Sequence, residues 1–205
     1  MKLGDFILKN ICRPLGLEST TKQPELLPHF EEKRVDIGIR NDDGAFSTVP
    51  EIFPIPTPDD FGGASLYSTP REFTRFLSVL LGGGRGILGQ ESTDEIFRPQ
   101  LAPLVREQLN AQVNTAQPMK WMFTTGNVVN FGLGVAITAE DVPGGRSAGS
   151  VAWGGHTNTH WWIDRKNGVC ATSFFHHLPP CDPGVVSIRD EFEERLYEYL
   201  KEATG

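Results

Sequence analysis

Val151-Ala152-Trp153-Gly154-Gly155-His156-Thr157-Asn158-Thr159-His160-Trp161-Trp162-Ile163-Asp164 sets two glycines between a short apolar run and an alternating, aromatic-rich one. Glycine in such a place lets another backbone or a ligand come close, because no Cβ stands in the way. The alternation from Thr159 to Ile163 predicts a strand. Asp164-Arg165-Lys166-Asn167-Gly168 predicts its turn, with Asn-Gly supplying positive φ, and Val169 to Phe175 the return strand. A hairpin whose first arm follows a Gly-Gly gap is a place where a ligand can meet backbone donors.

Trp-Gly-Gly, a short polar run, Trp-Trp-Ile-Asp, a turn and a β-rich return resemble the third motif region of the serine β-lactamase and penicillin-binding-protein superfamily. The resemblance is to the class C-like branch of esterases and polyketide side-chain acyltransferases, where Trp-Gly-Gly often replaces the lactamases' Lys-Thr-Gly. It implies that Trp153, Gly154 and Gly155 hold the motif positions and that the backbone N–H of His156 faces an oxyanion. It also implies that Gly155 lets the strand edge approach an acyl group, so that a side chain there would intrude on the cleft.

Outward from this stretch, two more segments carry the likeness. Pro14-Leu15-Gly16-Leu17-Glu18-Ser19-Thr20 resembles the branch's Pro-Leu-Gly-Met-x-x-Thr, which there follows both the Ser-x-x-Lys nucleophile motif and the tyrosine-containing second motif. The resemblance therefore implies that the first third of the family domain is absent from these 205 residues. Phe61 to Thr69 resembles Gly-Gly-x-x-Leu-x-Ser-Thr, which runs past the active site into a helix. Tyr67 is then either a substrate-cleft residue or a partly buried aromatic leading into that helix.

Ser19-Thr20-Thr21-Lys22 itself fits Ser-x-x-Lys, a motif that works by placing an amine one helical turn from the hydroxyl it activates. Pro24 and Pro28 follow at once, Pro14-Leu15-Gly16 precedes, and neither side has an apolar helical face. The expectation is a solvated turn and no nucleophile.

A chain of 205 residues is about one domain, and 39% hydrophobic with 22% charged residues is a globular composition. The net charge of −7 argues against nucleic acid or an anionic membrane as the main partner. Cys12, Cys170 and Cys181 are odd in number and far apart, so they indicate neither a disulfide framework nor a zinc site. No stretch reaches the ~18 apolar residues of a membrane span, and Asp5 interrupts where a signal peptide needs an apolar run. The expected location is cytoplasmic, with no cofactor.

Leu3, Phe6, Ile7 and Ile11 predict a helix that Pro14 stops, and Val35, Ile37 and Ile39 predict a hairpin turning at Asp42-Asp43-Gly44. Thr69 as N-cap, Pro70 at N1 and Glu72 at N3 predict a capping box, followed by an apolar face of Phe73, Phe76, Leu77, Leu80 and Leu81 and an exit through Gly82-Gly83-Gly84. Ser92-Thr93-Asp94-Glu95 predicts a second capped helix ended by Pro99. Leu101, Leu104, Val105 and Leu109 suggest a helical turn or two, Trp121, Met122 and Phe123 apolar cover, and Asn130 to Thr138 a strand. His176-His177 has no acidic or helical partner for a metal, since neighbours in a strand point to opposite faces. In the tail, Val185, Ile188, Phe192, Leu196, Tyr199 and Leu200 predict the buried helix face, with Glu191, Glu193, Glu194 and Glu198 solvated.

The expected architecture is α/β with an α+β layout. A helix-and-loop lobe spans 1–130, and an antiparallel sheet with a C-terminal helix spans 131–205, forming one partial β-lactamase-like domain. By resemblance the family forms an acyl-enzyme on serine and passes the acyl group to water or an alcohol, so the implied partner is a small-molecule ester or acyl substrate. His156 (as backbone donor) and Gly155 are the expected catalytic positions. Trp153, Gly154, Asn158 and Tyr67 are the expected substrate-binding ones, with Trp153 equally open to a core role. The alternative is an inactive truncated paralogue that binds small molecules or depends on a partner. An unpaired sheet edge also predicts self-association.

Overall fold

The computed structural model describes residues 1–58, 60–115 and 128–204. The chain opens with an α-helix, α1 (Leu3–Ile7), that runs through a π-helical turn (Leu8–Cys12) into α2 (Arg13–Leu15). Pro14 lies inside this run. Gly16, at φ 62, ends it, with the Leu17 N–H reaching the Cys12 carbonyl and the Gly16 N–H the Arg13 carbonyl. The left-handed cap is the stop signal here, ahead of the proline.

After a 3-10 turn (Pro24–Leu26) and α3 (Phe30–Lys33), β1 (Ile37–Arg40) and β2 (Phe46–Val49) form the expected antiparallel hairpin, turning through Gly44 at φ 82. α4 (Pro70–Leu81) buries Leu77 and Leu80, with Phe73, Phe76 and Leu81 packed beside them. Thr69 caps the Glu72 N–H at 3.2 Å, but the Glu72 carboxylate turns away and accepts from the Glu18 and Ser19 N–H groups and the Thr20 hydroxyl. Half of the capping box has thus been diverted to hold the 18–20 segment.

α5 (Gln90–Phe97) begins two residues earlier than the Ser92 start, with Gly89 as N-cap. Thr93 is fully buried inside it and donates to the Gly83 and Gly89 carbonyls, which joins α5 to the exit of α4. α6 (Pro103–Thr115) is a 13-residue helix where a turn or two was expected. Trp121, Met122 and Phe123 lie outside the described residues. The predicted single strand at 130–138 is two, β3 (Val129–Phe131) and β4 (Ala136–Thr138), folded back on each other.

β5 (Val151–Gly154), β6 (Thr159–Asp164), β7 (Val169–Phe174), β8 (His177–Leu178) and α7 (Pro183–Thr204) complete the chain. One sheet runs β3-β4-β5-β6-β7 and is antiparallel throughout; a smaller one runs β2-β1-β8. β8 lies parallel to β1, so the second sheet crosses the expected lobe boundary near 130. α4 covers one face of the large sheet over Val151, Ile163, Val135 and Ile137. α7 covers the other over Ala152, Trp162 and Ala171. The Gly155 N–H to Thr159 carbonyl bond sets the ladder parity, which turns the backbone groups of Cys170, Thr172 and Phe174 away from β6. No backbone partner takes them up among the described residues, and β7 is an open edge.

The buried face of α7 is the predicted one only in part: Val185, Leu196 and Leu200 pack as expected. Ile188, Phe192 and Tyr199 are exposed, while Arg189, Glu193 and Tyr197 are buried with Val185. Glu193 accepts from the Arg146 side chain and backbone N–H, and the Arg146 guanidinium stacks over Trp162 at 5.0 Å. Burial opposes the Glu193 charge, and the bonds from Arg146 reverse this and hold its carboxyl below the ordinary value.

Asp164, fully buried at the end of β6, accepts from the Ser147 hydroxyl and N–H, the Asn167 side chain and N–H, and the Tyr197 hydroxyl. Burial works against its charge, but these donors outweigh it and hold the carboxyl at about 2. A carboxyl depressed by folding stabilises fully above its unfolded value, near pH 4, and loses that contribution as pH falls toward 2. Asp164→Asn should therefore flatten the acid limb of a plot of unfolding free energy against pH. An acid limb identical to the wild type would show that the contribution lies elsewhere.

Candidate functional site

The Gly-Gly stretch is the tip of the β5–β6 hairpin. The Asn158 N–H donates to the Gly155 carbonyl (3.1 Å) and the Gly155 N–H to the Thr159 carbonyl (2.7 Å). His156 and Thr157 keep negative φ while Asn158 is left-handed at φ 55. A type I turn followed by a left-handed residue is the usual three-residue hairpin, and it matches the right-handed twist of the strands. Backbone bonds from the far side brace it: the His177 N–H donates to the Thr157 carbonyl (3.0 Å) and the Phe175 N–H to the Asn158 carbonyl (3.4 Å).

What this leaves over is functionally suggestive. Among the described residues nothing accepts from the His156 or the Thr157 N–H, and the His156 side chain is exposed. Two adjacent donors on a braced turn can meet developing negative charge without rearranging. The sequence pointed to the His156 N–H alone; the open Thr157 N–H beside it is seen only in the structure. The signal for Thr157 was the spacing of the turn itself, with two positions between Gly155 and the left-handed Asn158.

The other expected site residues fall in different places. Gly154 is buried in β5 opposite His160. Gly155 is constrained by its own turn: a Cβ there would overlap Thr159 Oγ1, so a side chain must first displace the threonine hydroxyl. Trp153 is half-buried and meets Phe131 edge-on at 5.7 Å, in the cluster formed by Val113, Val129 and Ala136. Asn158 was expected to shape an acyl pocket. It is fully buried, and its amide is engaged by backbone groups of residues 177–181.

Tyr67 has no hydrogen bond or ring contact with residues 153–158 among the described residues. Its backbone bridges to Thr21 and its ring meets Phe30 at 5.6 Å. Burial pushes its phenol pKa up, with Glu51 adding to this and Arg34 opposing it. A cavity of about 450 Å³ opens beside Arg34, Asp36, Val49, Glu51 and Phe53; none of residues 153–158 lines it.

Ser19 lies in a bend and its N–H is held by the Glu72 carboxylate. Lys22 is not solvated as expected. It is buried, with its ammonium donating to the Phe61 and Ala64 carbonyls, and burial lowers its pKa against the opposing pull of Asp60. The pair therefore has no helix to bring it together, and the lysine already serves as a brace for the 61–64 loop. Among the described residues no three His, Cys, Asp or Glu side chains gather as a metal site, and no helix is long and apolar enough to cross a membrane.

The β-lactamase family model matches residues 1–192. Monacolin J acid methylbutanoyltransferase of Aspergillus terreus is 30% identical over 203 residues, covering 96% of this chain and 49% of that protein. Lovastatin esterase of Penicillium rubens is 27% identical over 204 residues, covering 95% and 50%. Simvastatin synthase from A. terreus, in a mutant form, superposes with a TM-score of 0.93 at 29% identity over 98% of this chain and 52% of that one. The chain spans about half the length of the curated relatives it matches.

Proposed function

Since the chain belongs to the β-lactamase family, we propose that it supplies the oxyanion-binding turn of a serine hydrolase or acyltransferase. In this reading a serine attacks the carbonyl of a small-molecule ester, and the alcohol of that ester leaves carrying the serine proton. The acyl then passes from the serine to water or to a second alcohol, which returns a proton to the serine oxygen. The observation that carries the reading is the braced turn with the free His156 N–H at the tip of a Trp-Gly-Gly strand. In a site shielded from water, one such donor aimed at the developing charge is worth roughly 2.7–4 kcal/mol. Relatives named for methylbutanoyl transfer and for lovastatin ester hydrolysis support an acyl group on a small polyketide-like alcohol as the substrate class.

The serine and its activating base are not supplied by Ser19 and Lys22. The 205-residue chain on its own should hydrolyse short p-nitrophenyl esters negligibly and remain unlabelled by a fluorophosphonate. Stoichiometric labelling that disappears in Ser19→Ala would overturn this assignment. Joined to the portion of the A. terreus methylbutanoyltransferase that the match leaves uncovered, the chain should acquire both labelling and turnover. A hybrid that folds, labels on serine and yet transfers no acyl group would favour the alternative of an inactive, partner-dependent module.

A further inference from the structure

Asn158 is the most heavily engaged residue at the turn. Its Nδ2 donates to the carbonyls of His177 (2.8 Å) and Pro179 (2.9 Å), and its Oδ1 accepts from the Cys181 N–H (3.0 Å). An asparagine side chain has two donor hydrogens and one carbonyl oxygen, and all three functions are matched here, in a residue only 1% exposed. Its backbone closes the turn at Gly155 and accepts from Phe175. The segment that it grips is itself fixed. β8 pairs with β1 through Gly38 and Ile39. Asp182 receives a two-pronged bond from Arg40 and caps the Val185 N–H at the start of α7.

The backbone bonds of the turn close it and brace its Thr157 and Asn158 carbonyls, but none of them engages the His156 or Thr157 N–H itself. Nothing in β5 or β6 requires a buried amide at 158, since glycine supplies a left-handed conformation without one. The side chain adds a tether from the turn to the small sheet and the end of α7. We propose that Asn158 is a positioning residue for the oxyanion donor: its amide fixes the turn so that the His156 N–H keeps one direction. The proposal rests on the reading of the turn given above.

Asn158→Gly separates the two roles, because it retains the backbone conformation and deletes the clamp. In the hybrid enzyme it should lower kcat about 10- to 100-fold, the range expected when a reacting group is displaced by about 1 Å, with KM little changed. In the 205-residue chain the amide resonances of residues 155–158 should shift and exchange faster while those of β6 and β7 stay put. Wild-type turnover by Asn158→Gly, or an unchanged His156 amide resonance, would overturn the proposal. A folded hybrid carrying native Asn158 that shows no turnover would instead remove the reading beneath it, and the proposal with it. If the hybrid does not fold, the resonances of the chain alone decide.

Discussion

Arg146→Met should lower the unfolding free energy by about 3–5 kcal/mol. Glu193 is buried on the packed side of α7, and its carboxylate accepts from Arg146 Nε at 2.8 Å, from the second guanidinium nitrogen and from the Arg146 backbone N–H. Methionine fills much of the arginine stem's volume but leaves the carboxylate with the backbone N–H alone of these three donors. Removing one partner of a buried pair costs about 3–5 kcal/mol, against a total stability of about 5–15 kcal/mol for a domain; the charge of Arg189, which also favours the Glu193 carboxylate, remains. The contact of the guanidinium with Trp162 is lost as well. Because the loss comes mainly from the stranded charge, adding Glu193→Leu to Arg146→Met should recover most of it, as apolar replacement of a whole buried pair is often neutral. Urea unfolding followed by circular dichroism measures both. A single variant within about 1 kcal/mol of wild type would mean that Glu193 reaches water or a proton in the folded state.

The same residue marks where sequence patterning stops being informative. The 3.6-residue spacing of Val185, Ile188, Phe192, Leu196, Tyr199 and Leu200 describes an apolar stripe, yet only Val185, Leu196 and Leu200 of it pack inward, beside the buried Arg189, Glu193 and Tyr197. Periodicity counts apolar residues and is blind to a charge whose partner stands 47 positions away. The strands fared better. Alternation at 159–163 and Asn167-Gly168 fixed β6, its turn and β7 from local information alone. Asn130 to Thr138 was read as one strand because Gly132 and Gly134 look like small strand residues, whereas Gly134 at φ 73 turns the chain back. Thr69 was legible as a cap, but not that Glu72 would leave the box to hold residues 18–20. At the site, Trp-Gly-Gly located the turn. The fate of Asn158 was not legible, because its partners at 177–181 are brought near only by the long hairpin and β8.

The second large effect concerns a single hydrogen atom. His156 is the first central position of a type I turn, where proline fits the backbone dihedral and is favoured, and glycine before it is the residue least restricted by a following proline. His156→Pro therefore deletes the backbone donor while preserving the turn. His156→Ala deletes the imidazole and preserves the donor. The Thr157 N–H remains in both. Loss of one oxyanion donor is worth about 10²–10³ in rate.

The most direct test is kcat for the two variants side by side in the hybrid enzyme, with their thermal unfolding measured in parallel. The expected result is a fall of about 10²–10³ for His156→Pro and a change of only a few-fold for His156→Ala, with both variants folded. Full activity in His156→Pro together with loss of activity in His156→Ala would contradict the account, and would make the imidazole, not the backbone of the Gly-Gly turn, the group that acts on the substrate.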